Sequence, residues 1–224
     1  MDTLTYLAER FGLDLRTAKS PVEIPNVTRE DLAALFAELG FKRGAEIGVE
    51  RGLYSETICK ANPGVQHYAV DYWKRIHRYR DHVDGEKLQR FYVEASERLE
   101  PYGVTVIREL SMNAVTRFDD GSLDYVYVDG AHDFQSVTND IAEWSRKVRP
   151  GGIISGHDYL FARLPSLMHV PLVVDPWVRA YSLEPLFIMG AREKAAGVKR
   201  DDGRSWFYVQ PAPRERKPGE KIKQ

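Results

Sequence analysis

The sequence predicts a doubly wound α/β fold: a mostly parallel sheet of seven strands, helices on both of its faces and an antiparallel strand at one edge. Three observations predict it. Apolar runs alternate with helical stretches from residue 41 to residue 158. The runs are close to continuously apolar, as in L-D-Y-V-Y-V-D, which is how strands covered on both sides read. Three of them lead to an acid, Asp71, Asp129 or Asp158, at the strand end where open parallel sheets collect their ligands.

Taken in order, residues 1–40 read as a helical accessory segment. Leu4, Leu7, Phe11 and Leu13 give it an apolar face, and Ser20-Pro21 through Ile24-Pro25 interrupt it. Thr28 followed by Asp31 has the form of a capping box; Leu32, Leu35, Phe36 and Leu39 recur at helical spacing until Gly40 stops the run. Residues 41–210 then hold the main domain. Its strands are A-E-I-G-V, H-Y-A-V-D, V-T-V-I-R-E-L, L-D-Y-V-Y-V-D and G-I-I-S-G-H-D, with helices over Glu86 to Leu99 and Phe134 to Val148. Beyond Asp158, Pro165, Pro171, Pro176 and Pro185 punctuate the chain, leaving one short helix over Pro176 to Tyr181. L-F-I-M and S-W-F-Y-V-Q close the sheet as an antiparallel edge pair. Residues 211–224 are polar, proline-broken and mildly basic, the composition of a disordered tail.

With 224 residues the chain is long enough to bury a substantial core as one domain. A formal net charge of -1 argues against a general polyanion binder, so nucleic acid is not an expected partner. Cys59 is the only cysteine, which excludes an intrachain disulfide framework or a cysteine-built zinc site and fits a reducing, cytoplasmic setting. No apolar run approaches the roughly 20 residues of a membrane helix. The N-terminus M-D-T-L-T-Y-L-A-E-R carries acids where a signal peptide is basic, so neither secretion nor membrane insertion is expected.

The stretch A-E-I-G-V-E-R-G has the outline of a strand, a tight turn and a helix start. Gly48 would let backbone approach a ligand, and Gly52 would let the next helix begin close against it; a plain strand-to-helix turn is the other reading. The spacing does not match G-x-G-x-x-G, which disfavours a nicotinamide cofactor. Asp71, about 20 residues downstream at the end of the next strand, is placed to accept both hydroxyls of a ribose, unless it is a solvated strand-end acid.

The ordered set E-I-G-V-E-R-G, Y-A-V-D, L-D-Y-V-Y-V-D-G-A-H and R-P-G-G-I-I-S-G-H-D-Y resembles the class I S-adenosylmethionine-dependent methyltransferases, which have a Rossmann-like sheet. The resemblance spans residues 41 to 210 and is closest to the catechol and macrocin O-methyltransferase branch. It implies S-adenosylmethionine as cofactor. Gly48 and Gly52 would lie under its methionine portion, with Glu46 reaching the amino group. Asp71 would hold the ribose, Tyr72 or Trp73 would flank the adenine, Ser111 and Met112 would contact it, and Asp129 would face the reaction centre.

Asp129 and Asp158 end neighbouring strands about 4.8 Å apart, with His132 and His157 beside them. An alcohol or phenol is a poor nucleophile until its proton leaves. His132, with an unperturbed pKa near 6.5, could take that proton as general base. A divalent ion could instead lower the acceptor's pKa, and carboxylates suit such ions. Related metal-dependent enzymes have acids at the positions of Asp129 and Asp158 and an Asp or Asn in the remaining slot, which here is His157. Imidazole is a softer ligand, so Asp129, His157 and Asp158 suit manganese or another transition ion better than magnesium, and a metal-free site is the alternative.

The function this implies is methyl transfer to a small-molecule hydroxyl, in a sugar or natural product, with Asp129, His132 and Asp158 serving catalysis. A metal-dependent hydrolase using the same acids and imidazoles, or a noncatalytic protein of this fold, are the rival readings. The basic and aromatic run Tyr72 to Val83, with Arg75, Arg78 and Arg80, and the connection Phe161 to Val174 are candidate lids, unless they are solvated surface. The apolar stripe of the first helix raises a homo-oligomer as an expectation.

Overall fold

In the computed structural model, which describes residues 1–76, 84–161, 168–193 and 195–212, the apolar runs form one eight-stranded sheet. Its strands are β1 (Val22–Ile24), β2 (Arg43–Ile47), β3 (Gln66–Val70), β4 (Thr105–Ile107), β5 (Leu123–Val128), β6 (Val148–Gly156), β7 (Phe187–Met189) and β8 (Trp206–Val209). They lie in the order β1-β7-β8-β6-β5-β2-β3-β4. β8 runs antiparallel to both of its neighbours, and every other pairing is parallel. The fold is the mostly parallel, Rossmann-like α/β architecture anticipated from the strand pattern.

Two details differ from expectation. The sheet has eight strands because the interruption between Pro21 and Pro25 is itself a strand, pairing Val22 with Phe187 and Ile24 with Met189. Val22 and Ile24 are buried while Glu23 between them is exposed, a period-2 pattern too short to stand out from sequence. The antiparallel strand is also not at the edge. The chain returns after β7 to insert β8 between β6 and β7, and β1 takes the edge position.

The helices are α1 (Thr3–Phe11), α2 (Arg29–Glu38), α3 (Leu53–Ala61), α4 (Gly85–Leu99), α5 (Ser111–Ala114), α6 (Phe134–Lys147) and α7 (Val170–Ala180). α2 starts where the capping box placed it, with the Thr28 N–H donated to Asp31 Oδ2 at 2.8 Å. α7 begins well before Pro176. Pro171 sits in its first turn, where a missing N–H costs nothing, and Val170, Val173, Val174 and Val178 form a buried stripe at helical spacing. The valines and the internal proline hid that helix, since both lower helix propensity.

Alternation along β5 divides the core. Tyr125 and Tyr127 face Leu7, Leu32, Phe36 and Ile58 of α1, α2 and α3, and the rings of Phe36 and Tyr125 stack at 4.1 Å. Val126 and Val128 face Val137, Ile141, Trp144, Val173 and Val174 of α6 and α7. Each such buried side chain contributes about 1.5–3 kcal/mol of hydrophobic stabilisation, so helices are held on both faces. β2 pairs with β3 on one side and β5 on the other, so the chain's path reverses there and a crevice opens beyond the carboxyl ends of these strands.

Among the described residues no helix is long and apolar enough to cross a membrane. Residues 77–83 of the first candidate lid, with Arg78 and Arg80, residues 162–167 of the second, and residues 213–224 of the tail lie outside the described residues.

Candidate active site

The loop after β2 is built by two glycines. Gly48 has φ +88°, donates its N–H to the Val70 carbonyl at 2.9 Å, and passes so close to β5 that a Cβ would overlap the carbonyl of Asp129. Gly52 has φ +77° and opens α3; a Cβ there would stand 3.3 Å from the Cα of Ala95, so it sets the approach of α3 to α4. Asp71 braces the same loop. Its Oδ2 accepts the N–H groups of Val49 and Glu50 at 3.0 and 2.9 Å, and its Oδ1 accepts that of Trp73 at 3.1 Å.

A cleft of about 670 Å³ lies beside this loop and brings together Gly48, Asp71, Tyr72, Ser111, Met112 and Asp129. Trp73 also lines it, but as a buried floor, its indole N–H donated to the Glu50 carbonyl at 2.7 Å. Glu46 lines an adjoining pocket of about 240 Å³ together with Arg29, Gly48, Asp129 and His132. Asp129 is thus shared by the two cavities, whereas Gly52 lines neither.

Glu46 heads a buried polar chain that sequence spacing does not show. The Ser55 hydroxyl donates to Glu46 Oε2, Ser55 Oγ lies 2.9 Å from His67 Nε2, and His67 Nδ1 lies 2.9 Å from the Tyr125 hydroxyl. With Ser55 donating to Glu46, the pattern closes when His67 donates through Nε2 and accepts the Tyr125 proton at Nδ1. That is a neutral imidazole, consistent with burial pushing His67 down to about 3. Burial, reinforced by Asp129 and only partly opposed by Ser55 and Arg29, lifts Glu46 to about 8.

Folded Glu46 therefore keeps a proton that the unfolded chain, with an ordinary value of 4.5, releases. Its stabilising contribution is present below that value and is lost as pH rises through about 8. Glu46→Gln is expected to remove this decline and to melt about 3 °C or more above the parent at pH 8, while matching it near pH 4. Differential scanning calorimetry across pH checks this, and parallel melting curves at both pH values would refute it.

Asp140, on α6, is a residue the sequence reading missed. It is 5% exposed, lines the larger cleft, and accepts the Ser111 hydroxyl, which in turn accepts the Trp144 indole N–H at 2.8 Å. Burial raises it to about 7 in spite of the Ser111 bond. The available signal was an acid among Val137, Ile141 and Trp144, on the apolar stripe of its helix.

The two acids and two imidazoles do converge. Asp129 extends β5, donating its N–H to the Ile47 carbonyl at 2.7 Å; His157 continues β6 with its N–H on Val128 at 3.1 Å and its carbonyl on the Trp206 indole at 3.1 Å. Asp133, not Asp129, caps α6, accepting the N–H groups of Gln135 and Ser136. His132 Nε2 lies 2.9 Å from Asp158 Oδ2 and 3.7 Å from Asp129 Oδ1. His157 Nδ1 lies 3.5 and 3.8 Å from the same two acids.

Burial alone works against charging His132, but the carboxylates of Asp129 and Asp158 outweigh it and lift the imidazole to about 10. Burial likewise works against ionising Asp158, yet His132 and His157 hold it well below the usual carboxylate range. At neutral pH this is an imidazolium between carboxylates. His132 must lose a proton before it can take one, so the unperturbed value assumed from sequence does not apply here.

The donor set fits a divalent cation. One ligand atom each from Asp129, His132 and Asp158 lies within 4.8 Å of the others. Apart from His132 Nε2, which stands 2.9 Å from Asp158, Nδ1 of His132 and Nε2 of His157 have no hydrogen-bond partner among the described residues. Buried nitrogens left this way are costly unless something else ligates them. The tightest trio contains His132 where the sequence reading had His157, which stands just behind.

Known proteins can be set against this geometry. Residues 45–159 match the family model described as methyltransferase domain. No curated protein matches the sequence. The structure is similar to the O-methyltransferase TomG from Streptomyces achromogenes, involved in tomaymycin synthesis and solved with S-adenosylmethionine (SAM): 16% identity, 94% of this chain, 90% of that one, TM-score 0.57. It is also similar to a putative O-methyltransferase from Klebsiella pneumoniae, at 18% identity over 93% of this chain and 90% of that one, TM-score 0.57. An O-methyltransferase from Bacillus cereus in complex with S-adenosylhomocysteine (SAH) gives 14% identity over 81% and 80%, TM-score 0.56. A matching family model over half the chain, on a sheet of this order, leaves no place for the hydrolase reading. The chain belongs to the methyltransferase domain family and is a class I S-adenosylmethionine-dependent methyltransferase.

Proposed function

We propose that the protein transfers the methyl group of S-adenosylmethionine to a hydroxyl oxygen of a small-molecule acceptor positioned at Asp129, His132 and Asp158. The observation that carries this reading is the convergence of those three side chains where the two cavities meet, Asp129 lining both. The larger cleft suits the nucleoside, with Asp71 at the ribose and Ser111 and Met112 at the base. The smaller pocket suits the methionine end, where Glu46 faces the ammonium and Arg29 is available to the carboxylate. A cationic ammonium would favour ionised Glu46, so cofactor binding is coupled to release of its proton.

Displacement at the sulfonium requires the acceptor oxygen in line with the methyl group at about 3 Å, and holding that geometry is itself a large share of catalysis. Asp129, on the border of the two cavities, orients the acceptor towards the methyl group. A divalent ion held by Asp129, His132 and Asp158 would lower the acceptor's pKa, and a donor set with an imidazole suits manganese, iron or zinc over magnesium. His132 then serves through a deprotonated nitrogen, and the backbone bonds of His157 keep the end of β6 in place behind it.

The test combines calorimetric binding of SAH with transfer of labelled methyl from SAM to a panel of catechols and sugars. Binding is expected at micromolar concentration or tighter. Chelation is expected to lower transfer by about 100-fold, restored by manganese. Equal rates with and without chelator would remove the metal from the reading, and absence of SAH binding would remove the reading itself.

A further inference from the structure

We infer that Asp140 is the residue that reads the base of the cofactor, its free carboxyl oxygen accepting the exocyclic amine of adenine. The inference rests on the cofactor reading above. It is carried by a carboxyl group that is buried, faces a cleft, and is only half satisfied. Asp140 is 5% exposed and lines the larger cleft with Ser111 and Met112. Its Oδ1 accepts the Ser111 hydroxyl. Its Oδ2 takes no hydrogen bond from any described residue and lies 3.6 Å from where a Cβ on Gly130 would stand.

The neighbouring groups narrow what this oxygen can meet. The Ser111 hydroxyl gives its proton to Asp140 and its lone pair to the Trp144 indole at 2.8 Å, so its proton is not available to a base. Asp140 is thereby left as the buried acceptor at this end of the cleft, beyond the ribose-side acid Asp71. Adenine offers one donor group on its ring edges, the exocyclic amine. Hypoxanthine and guanine present a carbonyl oxygen at the same place, which the ionised form of Asp140 repels, and the adenine amine in turn favours that ionised form. A single hydroxyl leaves the buried carboxyl under-compensated, as its raised pKa indicates, and an amine donor supplies the missing partner.

A purely structural Asp140 would tether α5 to α6 through Ser111 and nothing more. Asp140→Asn separates the two roles. The amide oxygen still accepts the Ser111 hydroxyl, while the amide nitrogen presents a donor to the cleft. Ser111→Ala does the opposite, breaking the tether and keeping the acceptor. Titration calorimetry of the full chain is performed above the raised value of Asp140, about 7, with SAH and with S-inosylhomocysteine, in which the exocyclic amine is replaced by a carbonyl and N1 gains a proton.

The parent is expected to favour SAH by about 30-fold or more. Asp140→Asn is expected to bring the two ligands within about threefold of each other, and Ser111→Ala to retain most of the preference. An unchanged ratio in Asp140→Asn overturns the assignment while leaving the cofactor reading intact. So does a parent that binds both ligands equally, with no variant needed. A parent that binds neither ligand overturns the cofactor reading, and this assignment with it.

Discussion

Replacing Asp158 by asparagine is expected to lower methyl transfer by about 1,000-fold and to abolish tight manganese binding, while leaving the SAH dissociation constant within about threefold. Asp158 lines neither of the two cavities proposed for the cofactor, so cofactor affinity has no reason to move. Its loss removes one member of the trio proposed to hold a cation and one of the two acids that raise the pKa of His132. Those effects oppose each other in a useful way. If His132 acted as an unassisted general base, removing Asp158 would bring its pKa down and hold or raise the rate at neutral pH. Steady-state rates with calorimetric manganese titration decide between the two, and a rate at or above the parent's would refute the cation site.

Gly48→Ala is expected to weaken SAH binding by about 100-fold and to destabilise the fold by about 3 kcal/mol. The residue sits at φ +88°, strained for any side chain, and the new methyl would overlap backbone rather than a movable side chain. Relief requires the loop after β2 to lift from the end of β5. Val49 and Glu50, whose N–H groups rest on Asp71, would shift with it, so both cavities proposed for the cofactor are disturbed at once. Urea unfolding and SAH titration measure the two effects, and a variant with parental values in both would show that the loop does not need this close approach.

The parallel core was legible in the sequence because strands buried on both faces are written as near-continuous apolar runs, and L-D-Y-V-Y-V-D reads as such a strand from its letters alone. The placement of Gly48, Asp71, Asp129 and Asp158 together was legible for a related reason: each follows a strand, and in a parallel sheet those ends gather at one edge. Elements that depend on distant partners were not. β1 spans three residues and exists only because β7 lies beside it, and α7 is helical despite valines and a proline because its stripe packs on α6. Asp140 becomes an acceptor for Ser111 only once α5 is folded against α6. The protonation of His132 was invisible for the same reason, since its partner Asp158 lies on a different strand loop.

The edge position of β1 has a consequence for handling the protein. β7 is buried along its whole length, Phe187, Ile188 and Met189 alike, and β1 covers its outer hydrogen-bonding side. β1 itself is a poor template, short and bounded by Pro21 and Pro25, whose nitrogens cannot donate to an incoming chain. The first two dozen residues thus act as a built-in guard against fibrillar stacking, and trimming them to obtain a minimal catalytic unit would exchange a well-behaved surface for a greasy open edge.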